Sequence, residues 1–495
     1  MKTWLQAVLS VVLLVGFLVL AVALVVAVGA FGLGYGTDGD GSGTREIRPL
    51  IVGAAGTVLF ALVFTLGRVL TRRPAPLTGI LLSPEQAPEL WRIVRDLAAR
   101  VGTREPDDVR LVAEANAAVT EEVRLLGLLP GRRTVILGLP LLPAYTVDQI
   151  RAVLAHEMGH FSGRHTRSVR IALRARMIIV GAAQNTVDGV LRAVLSAYAR
   201  LFVAVEQGIS RQMEYEADRY AVAVAGRDAM VNALREIRLV GTGWDGYLAD
   251  HVLPAYDRGH LPEDLFEGFA AYLAECRGEI RERSVEVAPA EPAWWESHPP
   301  LRERIAALRF VPDVPVIPDR RPATVLVPDL DTAGRRLRES RFDRPGTRLL
   351  PWDRLTPTLA HRSAREQADP LYRAAARLTG RPDADLGLLL DLLAEDRCLD
   401  LARELAPDAA EEDALRSLTV AYEGALEAAA VDSAAASWRH SWSGQPELST
   451  TAGEPLPLGE LVDLSADPAT VPAARDRLAA LGIRTTVTPA AAPTT

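Results

Sequence analysis

Ala155-His156-Glu157-Met158-Gly159-His160 is the stretch that decides how this chain is read. It spells His-Glu-x-x-His, and the residues before it predict a helix. Thr146, with Gln149 three residues on, forms a capping box in which each satisfies a backbone donor of the other. Val147, Ile150, Val153 and Leu154 then set an apolar face at helical spacing. His156 and His160 therefore lie one turn apart on one face, where two imidazoles can bind a single ion. Glu157 sits a step round the cylinder, beside a water on that ion. Zinc suits the pair, since it takes nitrogen and oxygen ligands tetrahedrally and leaves one position open for water.

A catalytic zinc needs a third protein ligand, and two candidates lie downstream. His165 is the nearer, but Gly163 in a metzincin-like turn would put the ligand on Thr166, so His165 falls one residue early. It reads more simply as a helix-end histidine. Glu214 is the better candidate, within Ser210-Arg211-Gln212-Met213-Glu214-Tyr215-Glu216-Ala217-Asp218. Glu214 and Asp218 are four apart and share a helix face, whereas Glu216 points elsewhere. One carboxylate to the metal and a second to receive an imidazole N–H is the arrangement such sites use. Arg211 is expected beside them as a supporting residue, and Ala217 allows a close approach to the first helix. The alternative is a solvated charged helix in which Arg211 and Arg219 merely pair with the acids.

Three elements together resemble the HtpX-like and CAAX-prenyl-protease group of membrane zinc endopeptidases: His156–His160, the run at 210–218, and His298-Pro299-Pro300 with Arg304-Ile305. Asn116-Ala117 and the Gly138-Leu139 step after the strand Thr134–Leu137 resemble that group too. The likeness covers about residues 75–310. It implies one Zn²⁺ per chain held by His156, His160 and Glu214, with Glu157 as general base. It also implies an active-site role for His298 and substrate contacts near Asn116 and Gly138. The fold it implies is mainly α with a small β-sheet, a gluzincin-type zinc peptidase domain behind an N-terminal two-helix transmembrane hairpin.

The 495 residues exceed what one core organises, so several domains are expected. These are a transmembrane hairpin over 1–75, the peptidase domain over 76–312, a proline-rich linker or wrapping segment over 313–362, a helical C-terminal domain over 363–482, and a disordered tail over 483–495. A net charge of −8 without long Lys/Arg runs excludes a nucleic-acid partner. Cys276 and Cys398 read as two free buried thiols.

Leu5–Phe31 carries no charge and is long enough to cross a bilayer; Leu50–Leu70 forms a second apolar run, broken late by Arg68. Lys2, Arg68, Arg72 and Arg73 outweigh Arg45 and Arg48 in the intervening loop, placing both ends and the catalytic domain in the cytoplasm. The chain thus reads as an integral protein of the cell membrane, with the lipid bilayer as one partner. A polypeptide is the other, a membrane protein or a prenylated peptide being the two options. Residues 169–209 read as an amphipathic helical pair, packed on the domain or dipping into the membrane surface. A strand over Thr134–Leu137, if at a sheet edge, would pair with an extended substrate. Residues 227–285 look helical, with Trp244, Tyr247 and Tyr256 as packing residues; His251, His260, His361 and His440 carry no motif.

Two functions compete on this sequence. One is a membrane-anchored zinc endopeptidase. The other is a catalytically inactive binding or scaffold protein on a peptidase fold, against which the intact His156, Glu157, His160 and Glu214 weigh.

Overall fold

The computed structural model describes residues 78–124, 129–162, 179–181, 183, 189–286 and 299–486, with isolated helical positions between 12 and 30. The two apolar runs expected to cross the membrane lie outside these residues apart from those isolated positions. Among the described residues no helix is long and apolar enough to cross a membrane. The chain divides into two compact units, Met1–Trp244 with Gly278–Phe342, and Asp245–Arg277 with Asp343–Thr495.

The first unit holds a four-stranded sheet of β1 (Ile80–Leu82), β2 (Asp108–Val112), β3 (Ala117–Arg124) and β4 (Leu129–Gly138) in the order β1-β2-β4-β3. β2 and β4 run parallel, with Asp108 opposite Thr134 and Val112 opposite Gly138. β1 and β3 add antiparallel strands outside them. The strand Thr134–Leu137 therefore lies inside the sheet, and β1 and β3 are its edges. The reason is that β4 is paired on both sides, with Val135 and Leu137 fully buried.

Helix α1 (Pro88–Val101) begins with a proline in its first turn and ends on Gly102 at φ 73°, two positions where those residue types fit the backbone. It packs against α2 (Val147–Gly159), whose Thr146–Gln149 capping box forms with the Thr146 N–H donating to Gln149 Oε1 at 2.8 Å. Helix α3 (Gly189–Ala225) runs unbroken for 37 residues, about 55 Å at 1.5 Å per residue. It replaces the second half of the helical pair expected over 169–209 and carries straight into the second motif. Phe202 and Ala199 on its first half are buried with Ile179 and Ala183, and Leu13 packs beside them. Helix α4 (Arg227–Tyr247) and helix α5 (Leu301–Leu308) follow.

The proline-rich stretch after α5 is the wrapping segment of the two forms expected for it. Arg227 Nη2 donates to Val311 O at 2.7 Å. Further on, the Val147 N–H donates to Arg321 O and the Asp148 N–H to Asp319 O, each at 3.0 Å, while the Ala323 N–H donates to Tyr145 O at 2.9 Å. Val147 and Asp148 open α2, and the first N–H groups of a helix have no partner inside it. The wrap supplies those partners, and Arg321 ties it to Glu89 of α1 at 2.6 Å. Residues 313–342 thus belong to the first unit, and helices Leu330–Arg341 and Trp352–Thr379 occupy much of the expected linker.

The second unit is helical around Glu411–Asp432, with Leu386, Leu389, Leu390, Leu426 and Leu461 fully buried in its core. Residues 245–277, expected within the peptidase region, belong here. His260–Pro262 pairs in parallel with Arg348–Leu350. Tyr247, Tyr272, Trp352 and Trp442 form an aromatic cluster, the last two 4.8 Å apart between ring centroids. Both cysteines are free, Cys276 buried as expected and Cys398 only half-buried.

Candidate active site

Two helices carry the site, and small residues let them meet. A Cβ added to Gly159 would come within 3.0 Å of the Ala217 Cα and 3.1 Å of the Tyr220 ring. A glycine on α2 facing an alanine on α3 thus brings the two motifs face to face. His156 Nε2 lies 3.6 Å from Glu214 Oε2, and His160 Nε2 lies 3.5 Å from Glu214 Oε1. One donor atom from each of the three residues falls within 4.8 Å of the others. Zinc bonds of about 2.1 Å at tetrahedral angles put neighbouring ligand atoms about 3.4 Å apart. The donor set and its spacing therefore fit that ion.

Asp218 accepts from His156 Nδ1 at 3.0 Å. An ionised carboxylate only accepts, so the proton sits on Nδ1 and the Nε2 lone pair faces Glu214 and the ion's place. Arg304, on α5, holds Asp218 from the other side through Nε at 3.0 Å and Nη2 at 2.5 Å. Its Nη1 reaches Glu214 Oε2 at 3.3 Å. Burial pushes the Asp218 carboxyl up, but the hydrogen bonds from His156 and Arg304 prevail and hold it below the usual range. Burial likewise works against the Arg304 charge, and Asp218, Glu214 and Glu157 together raise its pKa.

Glu157, half-buried on α2, stands close enough to act on Arg304 electrostatically. Arg211 is not part of this group. It is exposed and stands 3.9 Å from Glu303, and the supporting position expected for it is filled by Arg304. In the sequence Arg304 stands out only through its place after His298-Pro299-Pro300. His298 and His165 lie outside the described residues.

Asn116 and Gly138 do come together, at the mouth of the β3–β4 pair. The Gly138 N–H donates to Asn116 O at 2.7 Å, and a Cβ on Gly138 would sit 2.1 Å from Glu114 O. Only glycine allows that approach, which gives this pair a backbone role; the Asn116 side chain is exposed.

A helix-borne His-Glu-x-x-His completed by a glutamate from a second helix defines a metallopeptidase, a hydrolase of peptide bonds. Residues 84–311 match the model of Peptidase family M48. A protein named Protease HtpX from Pseudomonas fluorescens is 28% identical over 259 residues, 47% of this chain and 75% of the relative. Protease HtpX from Hahella chejuensis is 27% identical over 258 residues, with the same shares. No solved structure matches. Residues 84–311 are thus an M48-type, HtpX-like peptidase region.

Proposed function

We propose that the chain is a membrane-anchored zinc endopeptidase with Glu157 as its general base. The observation that carries this reading is the convergence of His156, His160 and Glu214 beside Glu157. Zinc, when bound, polarises a peptide carbonyl and acidifies water at the site. Glu157 takes the proton from the attacking water and passes it to the leaving amine. Asp218, fixed by Arg304, keeps the His156 proton on Nδ1 throughout. His298 is assigned to the developing oxyanion on the strength of the family likeness alone. The outer edge of β3 offers a ladder to an extended polypeptide, with Asn116 and Gly138 at its start.

Membrane anchoring is supported by the helical positions near the N-terminus. Val12, Val15, Val19 and Val26 fall on one stripe and are each more than half exposed. On the other side, Leu13 O accepts from the Tyr198 hydroxyl at 2.5 Å. A stripe of exposed valines opposite a packed face suits contact with lipid. The catalytic unit is assigned to the cytoplasm, and its substrates to membrane proteins or prenylated peptides.

The test is direct. Purified full-length protein should hold about one zinc per chain and cleave casein, and chelator should abolish both. Metal-free protein that cleaves equally well would end this reading. A reporter fused after Thr71 should behave as cytoplasmic and one within 37–44 as external; the reverse pattern would overturn the orientation.

A further inference from the structure

His160 is the ligand whose position the helix itself fixes least. α2 ends at Gly159, one residue before it, and the chain leaves through two tight turns, Phe161 N–H to Met158 O at 2.9 Å and Ser162 N–H to Gly159 O at 3.1 Å. A helix terminus is where backbone partners run out and fraying begins. Something beyond the helix must hold this end.

The sheet provides it. Arg133 of β4, buried among sheet and loop, lays its guanidinium 4.7 Å from the centre of the Phe161 ring. Its Nη1 donates to Thr103 Oγ1 at 2.7 Å and to Arg104 O at 2.9 Å. The Thr103 hydroxyl passes its own proton on to Phe161 O at 3.0 Å. Nη2 faces Glu121 Oε1 at 3.4 Å. The Arg133 backbone is itself locked, its N–H donating to Asp107 Oδ2 at 2.7 Å and its carbonyl accepting from the Asp107 N–H at 2.8 Å. Phe161 is thus held at its ring by the buried Arg133 cation and at its carbonyl by Thr103, which the same cation bonds. A desolvated guanidinium over an aromatic face is a favourable and directional contact.

The geometry points to Arg133, acting through Thr103 and Phe161, as a positioning residue for the metal ligand His160. This rests on the zinc reading above. Arg133 pairs with Glu121, so a bland sheet-stabilising role predicts lower stability and an unchanged metal site. The clamp predicts a changed metal site at unchanged ligand identity.

The experiment uses the full chain loaded with Zn²⁺ or Co²⁺. Zinc affinity is measured by competition with a chelator, and the Co²⁺ absorption bands report ligand geometry. Arg133→Met and Phe161→Ala should each weaken zinc by about 10–100-fold, the range found when groups supporting a ligand are removed. Both should shift the cobalt bands. Phe161→Trp, which keeps an aromatic face, should restore both readouts. The double variant should be no worse than the poorer single, since both remove the same contact. Thr103→Val removes only the hydroxyl link and gives a milder loss in the same direction, which keeps the test open if Arg133→Met does not fold. Wild-type affinity and wild-type cobalt bands in Thr103→Val and Phe161→Ala would overturn the clamp while leaving the zinc site standing. A wild-type chain that binds neither ion would remove the zinc reading and the clamp with it.

Discussion

Arg304 grips Asp218 with two nitrogens, Nε at 3.0 Å and Nη2 at 2.5 Å, while the same carboxylate accepts from His156 Nδ1 at 3.0 Å. All three groups are buried. A cation on α5 therefore holds the carboxylate on α3 that fixes the orientation of His156 on α2. Removing one member of a buried pair leaves the other charged and unpaired, at a cost of about 3–5 kcal/mol. Arg304→Met should destabilise the first unit by that order in urea titrations, and Arg304→Met with Asp218→Asn should recover part of the loss. A single variant as stable as wild type would show that the pair is not holding the three helices.

How far the sequence could go toward this site follows from distance along the chain. His156, Glu157 and His160 share one turn, and Glu214 and Asp218 share another, so local helical spacing exposes both sets. Arg304 meets Asp218 across 86 positions, and no local pattern says which of many arginines makes that contact. Arg211 is near Glu214 and Asp218 in sequence, yet in three dimensions it faces Glu303. The same limit explains the sheet. Val109–Val112 and Thr134–Leu137 are legible as strands from their β-branched and apolar residues. Their parallel pairing, which puts β4 inside and β3 at the edge, depends on the chain passing through β3 on its way from β2 to β4. The prolines after Val311 signal an extended backbone, but not that its carbonyls serve Val147 and Asp148.

The third ligand can be tested by substitution. Glu214→Gln should lower zinc content sharply, because an amide is a much poorer ligand than a carboxylate. His165→Ala should retain about one ion per chain, in keeping with the single-zinc site proposed above. Loss of zinc in the His165 variant and retention in the Glu214 variant would reverse the assignment.

Gly159 offers a check on the contact between the helices. Gly159→Ala must push α2 off Ala217 and Tyr220, since its Cβ would meet backbone at 3.0 Å. Overpacking of this kind costs about 1–3 kcal/mol. Zinc affinity should fall together with stability, because the same movement separates His156 and His160 from Glu214. A stable variant with full zinc affinity would mean that the helices can part without opening the site.

The second unit should respond to acid. Burial pushes the His440 pKa down to about 4, helped by the nearby His251, against an ordinary value of 6.5. Between these two values the unfolded chain takes up a proton that the folded unit refuses. Stability is therefore full above about pH 6.5 and declines as pH falls toward 4. His440 Nδ1 also shares a hydrogen bond with the Thr356 hydroxyl at 2.6 Å. Near-ultraviolet circular dichroism of the Trp352–Trp442 cluster during urea titration should show this decline in wild type and much less of it in His440→Asn. Equal pH slopes in the two proteins would assign the acid response to other groups.

Chemistry and binding separate at Glu157. Glu157→Gln keeps a side chain of nearly the same size on α2 but removes the basic oxygen that would take a proton from water. On the present assignment Glu157 does not hold the metal, so zinc content and folding should match wild type. General-base catalysis contributes about 10²–10⁴-fold, and casein hydrolysis should fall by at least that much. Substrate affinity should survive, because it draws on carbonyl polarisation and on pairing along β3. The variant should then act as a trap that co-purifies with uncleaved polypeptides, and their sequences would identify the substrate class. Wild-type turnover in a zinc-loaded Glu157→Gln protein would exclude Glu157 as the base and with it the mechanism proposed for this site.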